Sequence, residues 1–209
     1  MIIKGNPTEF KDKSILHPLI RNQTQFTILN YRLQCCYGKN IPIKFLNKII
    51  FVNKNSFIQN NIKIGHEIRK EVMLHLDNNI NIITIGGESY NYLFFVSSGI
   101  FYTNSKLLLD DFNYNKIFYN NSLKGSLIDY NKSTLKYNTD TCVINLSKLN
   151  VNLIKNINNS KINKIIIINC HHKDFWKKLK YFTNFKLKSR KIFIDEKIGY
   201  FISVNIFTQ

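Results

Sequence analysis

The sequence predicts an α/β domain whose central sheet is mostly parallel and ends in an antiparallel hairpin strand. Three observations carry that expectation. Apolar strands alternate with helix-length segments from about residue 80 onward, the pattern of βαβ units. The run Ile165 to Ile168 is uninterruptedly aliphatic, as a strand covered on both faces requires. The two closing strands, near Phe185 to Ile194 and Ile198 to Phe207, are joined by the short turn Asp195-Glu196-Lys197, which is too short for a crossover and makes them antiparallel neighbours.

The elements follow in order. Residues 1–54 read as an N-terminal extension or remnant cap, with short strands at Ile41-Pro42-Ile43 and Ile49 to Val52. Residues 55–209 form the main domain. Ile64, Ile68, Val72 and Leu76 recur every four residues, one stripe of an amphipathic helix. A buried strand, Ile80 to Ile85, ends in Gly86-Gly87. A helix over Tyr90 to Val96 and a strand at Ile100 to Tyr102 come next, then a helix from Leu107 to Tyr119. Strands are expected at Ser126 to Tyr130 and Thr141 to Asn145, with a helix over Val151 to Ile157 before Ile165 to Ile168. Phe175, Trp176, Leu179 and Phe182 mark a last helical segment, with Phe182 packing inward. There is no internal repeat.

Composition narrows the function classes. Thirty Lys and Arg against thirteen Asp and Glu give a net charge of +17, which favours polyanionic partners, above all nucleic acid. The competing explanation is an A/T-rich genome, such as that of a large DNA virus, since Asn, Lys, Ile, Tyr and Phe are all abundant. No apolar stretch has the length of a membrane span and the N-terminus lacks the apolar core of a signal peptide, so a cytoplasmic protein without a membrane partner is expected. Cys35, Cys36, Cys142 and Cys170 have no metal-binding spacing and read as reduced thiols.

Four segments, in the right order, resemble the RNA uracil-5-methyltransferases. Ser56-Phe57-Ile58-Gln59-Asn60-Asn61 is similar to the family's S-F-x-Q-x-N segment, and Ile82 to Ser89 takes the place of its first donor-binding strand and glycine loop. Phe112-Asn113-Tyr114-Asn115 is similar to the helix segment after the second strand, and Ile167-Ile168-Asn169-Cys170 to the family's I-S-C-N strand end. The resemblance implies a Rossmann-like, class I methyltransferase fold with S-adenosylmethionine as cofactor and RNA as partner. It makes Cys170 the nucleophile that attacks C6 of uracil. Gln59, Gly86, Gly87, Asn104 and Asn145 become the donor-binding positions, Asn104 facing the ribose. The chemistry is coherent. Addition of a thiolate at C6 turns C5 into a carbon nucleophile, and a base must then remove the C5 proton.

The chain departs from the family at several of these positions. The loop reads Gly-Gly-Glu-Ser rather than G-x-G-x-G, which puts Glu88 and Tyr90 where backbone approaches the donor. Asn104 replaces the ribose-binding acid and lacks its charge-assisted hydrogen bond. Asn145-Leu146-Ser147-Lys148 stands in place of D-P-P-R, and Gly199-Tyr200-Phe201 lacks the family's general base, with Glu196 close by in a turn. Two readings follow. One is a methyltransferase-like RNA protein with weakened catalytic motifs. The other is a catalytically inactive subunit that binds RNA or a protein partner on the same scaffold. Each site residue has a plainer explanation too: a buried thiol for Cys170, an ordinary strand-to-helix turn for Gly86-Gly87, and a polar residue near a helix start for Gln59. The cluster of Lys177, Lys178, Lys180, Lys186, Lys188, Arg190 and Lys191 reads either as a track for phosphates or as a solvated face.

Overall fold

The computed structural model describes residues 27–29, 34–36, 40–53, 55–56, 58–59, 61–76, 81–120, 122–130, 139–170, 172–195 and 199–209. They fall into two compact units, Met1–Ser56 and Phe57–Gln209.

The first unit contains two antiparallel pairs. Strand β1 (Thr27–Leu29) pairs with β2 (Gln34–Cys36), and β3 (Asn40–Phe45) pairs with β4 (Lys48–Asn53). The second pair is a tight hairpin that turns at Leu46, whose positive φ of 56° matches the mirror-image turns that suit twisted strands. Ile41 lies opposite Val52 and Ile43 opposite Ile50, and all four are buried.

The second unit is built on a seven-stranded sheet in the order β10-β11-β9-β8-β5-β6-β7. Its elements are α1 (Ile62–Leu74), β5 (Asn81–Ile85), a 3₁₀ helix (Gly87–Phe95), β6 (Ser98–Thr103), α2 (Lys106–Tyr119) and β7 (Lys124–Leu127). These are followed by β8 (Thr141–Asn145), α3 (Val151–Asn158), β9 (Lys164–Asn169), α4 (His172–Leu179), β10 (Lys186–Asp195) and β11 (Tyr200–Thr208). The strands from β7 to β9 are mutually parallel, whereas β11 runs antiparallel to both β9 and β10. This is the expected α/β architecture: a class I methyltransferase fold, parallel and closed by a reversed strand.

Side-chain chemistry explains the layers. On one face Ile83, Ile85, Cys142, Ile144, Ile165 and Ile167 pack under Leu153, Ile154 and Ile157 of α3 and Phe175 of α4. Phe182 packs inward here as well, stacked on Phe207 at 5.3 Å. The other face carries an aromatic cluster. Tyr90 lies 5.3 Å from Phe101, which lies 5.5 Å from Phe112 of α2. Helices begin where a short polar side chain accepts a backbone N–H: Asn61 from Ile64, Ser105 from Leu108, and Asn150 from Asn152 and Leu153.

Two element expectations need correction. The segment expected as a helix over Tyr90 to Val96 is a 3₁₀ helix over Gly87–Phe95. Glu88 through Phe94 are all buried, so the segment has no solvent face to give an amphipathic α-helix. Its first turn is tightened by Ser89, whose Oγ and N–H both donate to the Gly86 carbonyl, at 2.6 and 3.2 Å. The strand expected at Ser126 to Tyr130 covers Lys124–Leu127, because pairing with β6 ends at Thr103 opposite Leu127. The turn Asp195-Glu196-Lys197 extends outside the described residues. No helix among the described residues is long and apolar enough to cross a membrane.

Candidate functional site

In an open parallel sheet, ligands bind beyond the carboxyl ends of the strands, where the chain order reverses. Here that place is fixed by topology. From β5 the chain builds outward through β6 and β7, then returns to the other side of β5 to lay down β8. The carboxyl ends of β5 and β8 are therefore adjacent, with Ile85 opposite Ile144. Gly86 and Asn145 each come directly after these residues.

The Gly86-Gly87 turn depends on glycine. Gly86 has φ 68° and ψ 174°, a region essentially closed to other residues, and Gly87 has φ 48°. A Cβ on Gly86 would lie 2.3 Å from Leu146 Cδ2, and one on Gly87 would lie 2.7 Å from Asn145 Cγ. Asn145 thus packs against the glycine turn, and Gly86, Gly87 and Asn145 form one group. The Gly86 N–H also donates to the Tyr102 carbonyl at 3.0 Å, which ties the turn to the end of β6. Asn104, exposed just past that strand, belongs to the same rim.

Glu88 and Tyr90, the two side chains that depart from the family's glycine loop, are both buried in the interior. Glu88 turns inward and accepts a hydrogen bond from Arg69 of α1 at 2.9 Å, with both side chains buried. Tyr90 is buried in the aromatic cluster, where desolvation and then the charges of Asp111 and Glu88 hold its phenol well above the usual range. Gln59 packs against α1. Its Cβ and Cγ lie 3.1 Å from where a Gly65 Cβ would sit, and the Arg69 guanidinium carbon is 3.7 Å from that point. Gln59, Gly65, Arg69, Glu88 and Gly87 therefore form a continuous chain of neighbours. Phe57 and Asn60 of the same motif lie outside the described residues.

Cys170 follows β9, whose Ile168 pairs with Asn145 of β8. The thiol is free and half-buried. Cys142 lies within the sheet, where burial pushes its thiol far up. His171 lies outside the described residues. Among the described residues no group of three metal-binding side chains occurs.

Two positions were missed. Asn169, beside Cys170, is buried, and neither atom of its amide has a hydrogen-bond partner. No sequence pattern announces such a residue. Tyr130 is buried, and its hydroxyl donates to the Tyr102 carbonyl at 3.5 Å, at the end of β6 beside Asn104. Burial pushes this phenol up to about 12, against the opposing hydrogen bonds with Thr103 and Asn104.

The residues fit a nucleoside-bearing donor in part. The positive-φ turn offers backbone that can be approached closely, and Asn104 offers an amide for a hydroxyl. The carboxylate usual at the ribose position is absent, and Asn145 lies against the turn itself.

Comparisons with known proteins agree with this architecture. No family model and no curated protein sequence matches the chain. Solved structures do. Over 98% of its length the chain is similar to a tRNA (uracil-54, C5)-methyltransferase from Pyrococcus abyssi in complex with S-adenosyl-L-homocysteine, at 13% identity and a TM-score of 0.68. It spans 53% of that protein, about half. It is also similar to M. jannaschii TYW2 in complex with AdoMet, at 13% identity and a TM-score of 0.62, over 88% of this chain and 94% of that one. Trm5 from Methanocaldococcus jannaschii, solved with adenosine, matches at 15% identity and a TM-score of 0.65, over 87% of this chain and 60% of its own. At these identities the likeness establishes the fold: this chain is built on the scaffold used by S-adenosylmethionine-dependent RNA methyltransferases.

Proposed function

We propose that this chain is an RNA methyltransferase-like protein that takes S-adenosylmethionine at the β5/β8 rim and acts on uracil C5 through Cys170. The observation that carries the reading is the placement of the Gly86-Gly87 turn at the topological switch point, with the free thiol of Cys170 ending the strand next to Asn145. The tRNA named for the Pyrococcus abyssi methyltransferase supports the same substrate class.

The donor, when bound, supplies an electrophilic methyl group. Gly86 and Gly87 would approach it with bare backbone, Asn104 would hydrogen-bond its ribose, and Gln59 would contact it from the α1 side. Cys170 Sγ adds to C6 of the base as a thiolate, moving electron density onto C5. After C5 is methylated, its proton would pass to water, since no carboxylate stands at Gly199-Tyr200-Phe201, and expulsion of the thiolate would restore the ring.

A second reading, RNA binding without methyl transfer, is favoured by Asn145. It replaces an acid and packs onto the glycine turn. Calorimetry with S-adenosylmethionine separates the two: a saturable isotherm supports the first, and no heat at millimolar donor rejects it. With a fluorouracil-containing RNA and donor, a covalent adduct should form that is absent in Cys170→Ala. An adduct persisting in that variant removes Cys170 from its role.

A further inference from the structure

Helix α4 exposes one stripe, Lys173, Trp176, Lys177 and, just past its end, Lys180, at the i, i+3, i+4, i+7 spacing of a single helical face. Trp176 does not stand alone. The Arg190 guanidinium of the edge strand β10 lies 4.6 Å from its indole centroid, so helix and strand present one surface. Alternation along β10 puts Ile192 and Ile194 on the same side as Arg190. Ile194 pairs with Phe201 of β11. These apolar residues are 42–62% exposed, as is Trp176 at 44%.

The surface is as basic as it is apolar. Helix α4 carries three lysines, Lys180 follows it and β10 adds Arg190 on the same side, whereas Lys191 turns to the opposite face and Glu71. Asp174 is bound to Lys178 at 2.8 Å. Exposed Lys173 and Lys177 have no acidic partner among the described residues. The surface starts close to the site, since α4 begins at His172, two residues after Cys170.

We propose that the α4–β10 face binds single-stranded RNA, with bases stacking on Trp176 and the flanking lysines taking the phosphates, so that the strand is led toward Cys170. The proposal rests on the RNA reading above. Aromatic and aliphatic side chains interleaved with unpaired cations suit unstacked bases on a polyanion. A second copy of this chain is disfavoured, because two such surfaces would set like charges against each other.

Trp176 is the chain's one tryptophan, so emission excited beyond the tyrosine absorption reports on this surface alone. The full chain, without donor, is titrated with a short oligouridylate across a salt series. The expected result is saturable quenching whose affinity falls as salt rises. In Lys173→Glu/Lys177→Glu the affinity should fall about tenfold or more while the circular dichroism spectrum is unchanged. Binding seen by electrophoretic shift with unaltered emission would overturn the proposal. So would wild-type affinity in the double variant, absence of any binding, or a doubling of sedimentation mass that is lost in that variant. Donor calorimetry on the same protein reads independently. A donor isotherm without quenching sinks only this surface, and quenching without a donor isotherm sinks only the methyl-transfer reading.

Discussion

Arg69 Nη2 donates to Glu88 Oε2 over 2.9 Å, and this buried pair clamps α1 to the first turn after the glycine loop. Nineteen residues separate the two in sequence, so the contact is a product of the tertiary fold. A buried pair adds little net stability relative to a well-packed apolar one, yet losing one partner leaves a charge in low dielectric. Glu88→Ala should therefore cost about 3 kcal/mol, a fall of about 10 °C in Tm for a chain this size. Arg69→Met/Glu88→Leu should recover most of that loss. Thermal melts of the three variants test the pairing. A single variant as stable as the parent would show that the clamp contributes nothing.

Gly86→Ala should fail for reasons of both space and backbone. The added methyl would overlap Leu146, and φ 68° with ψ 174° is closed to alanine. The expected loss is about 2–3 kcal/mol. Gly86→Ala/Leu146→Ala relieves only the overlap, so urea titration of both variants separates clash from backbone strain.

Alkylation should separate the thiols. Cys170 is half-buried at a strand end, whereas Cys142 is fully buried in the sheet. Peptide mapping after brief iodoacetamide treatment should find Cys170 modified and Cys142 protected until the chain is unfolded. Equal rates at the two sites would contradict this placement.

Glu71 and Tyr130 give stability a pH dependence at opposite ends of the scale. Burial acts to raise the Glu71 carboxyl, but hydrogen bonds from Lys191, at 2.6 Å, and His75 outweigh it and hold it below 4.5. A depressed carboxyl contributes stability that is present above pH 4.5 and lost as pH falls through its folded value. The Lys191 contact is half-exposed and contributes about 1 kcal/mol at most. Glu71→Gln should flatten the acid limb of the pH–stability curve. Tyr130 acts in the opposite sense. With its phenol raised from 10.0 to about 12, its contribution is complete below pH 10 and is lost as pH rises through about 12. Tyr130→Phe should remove that alkaline loss, as read from denaturant midpoints between pH 9 and pH 12.

The fold could be read in the sequence where a single element carries its own signal. Ile165 to Ile168 announces a buried strand without its neighbours, and the final hairpin follows from the shortness of its turn. The 3₁₀ helix could not be read, because its aromatic residues also suit an α-helix until Phe101 and Phe112 enclose them. Strand β7 was placed too late because apolar Ile128 continues the strand-like pattern after pairing has stopped. At the site, Gly86, Gly87 and Asn145 were named singly, and their mutual packing comes from the strand order. The burial of Glu88 could not be read for the same reason: its partner lies on another helix. Asn169 was named only as part of the strand end before Cys170, and nothing in that pattern announces its buried, unsatisfied amide.

The wholly buried stretch from Glu88 to Phe94 bears on how this protein can evolve. An amphipathic helix has an outer face on which substitutions accumulate at no cost, so its history drifts. This segment has no outer face. A substitution within it must fit the residues that enclose it, so the segment should tolerate less change than an exposed helical face would.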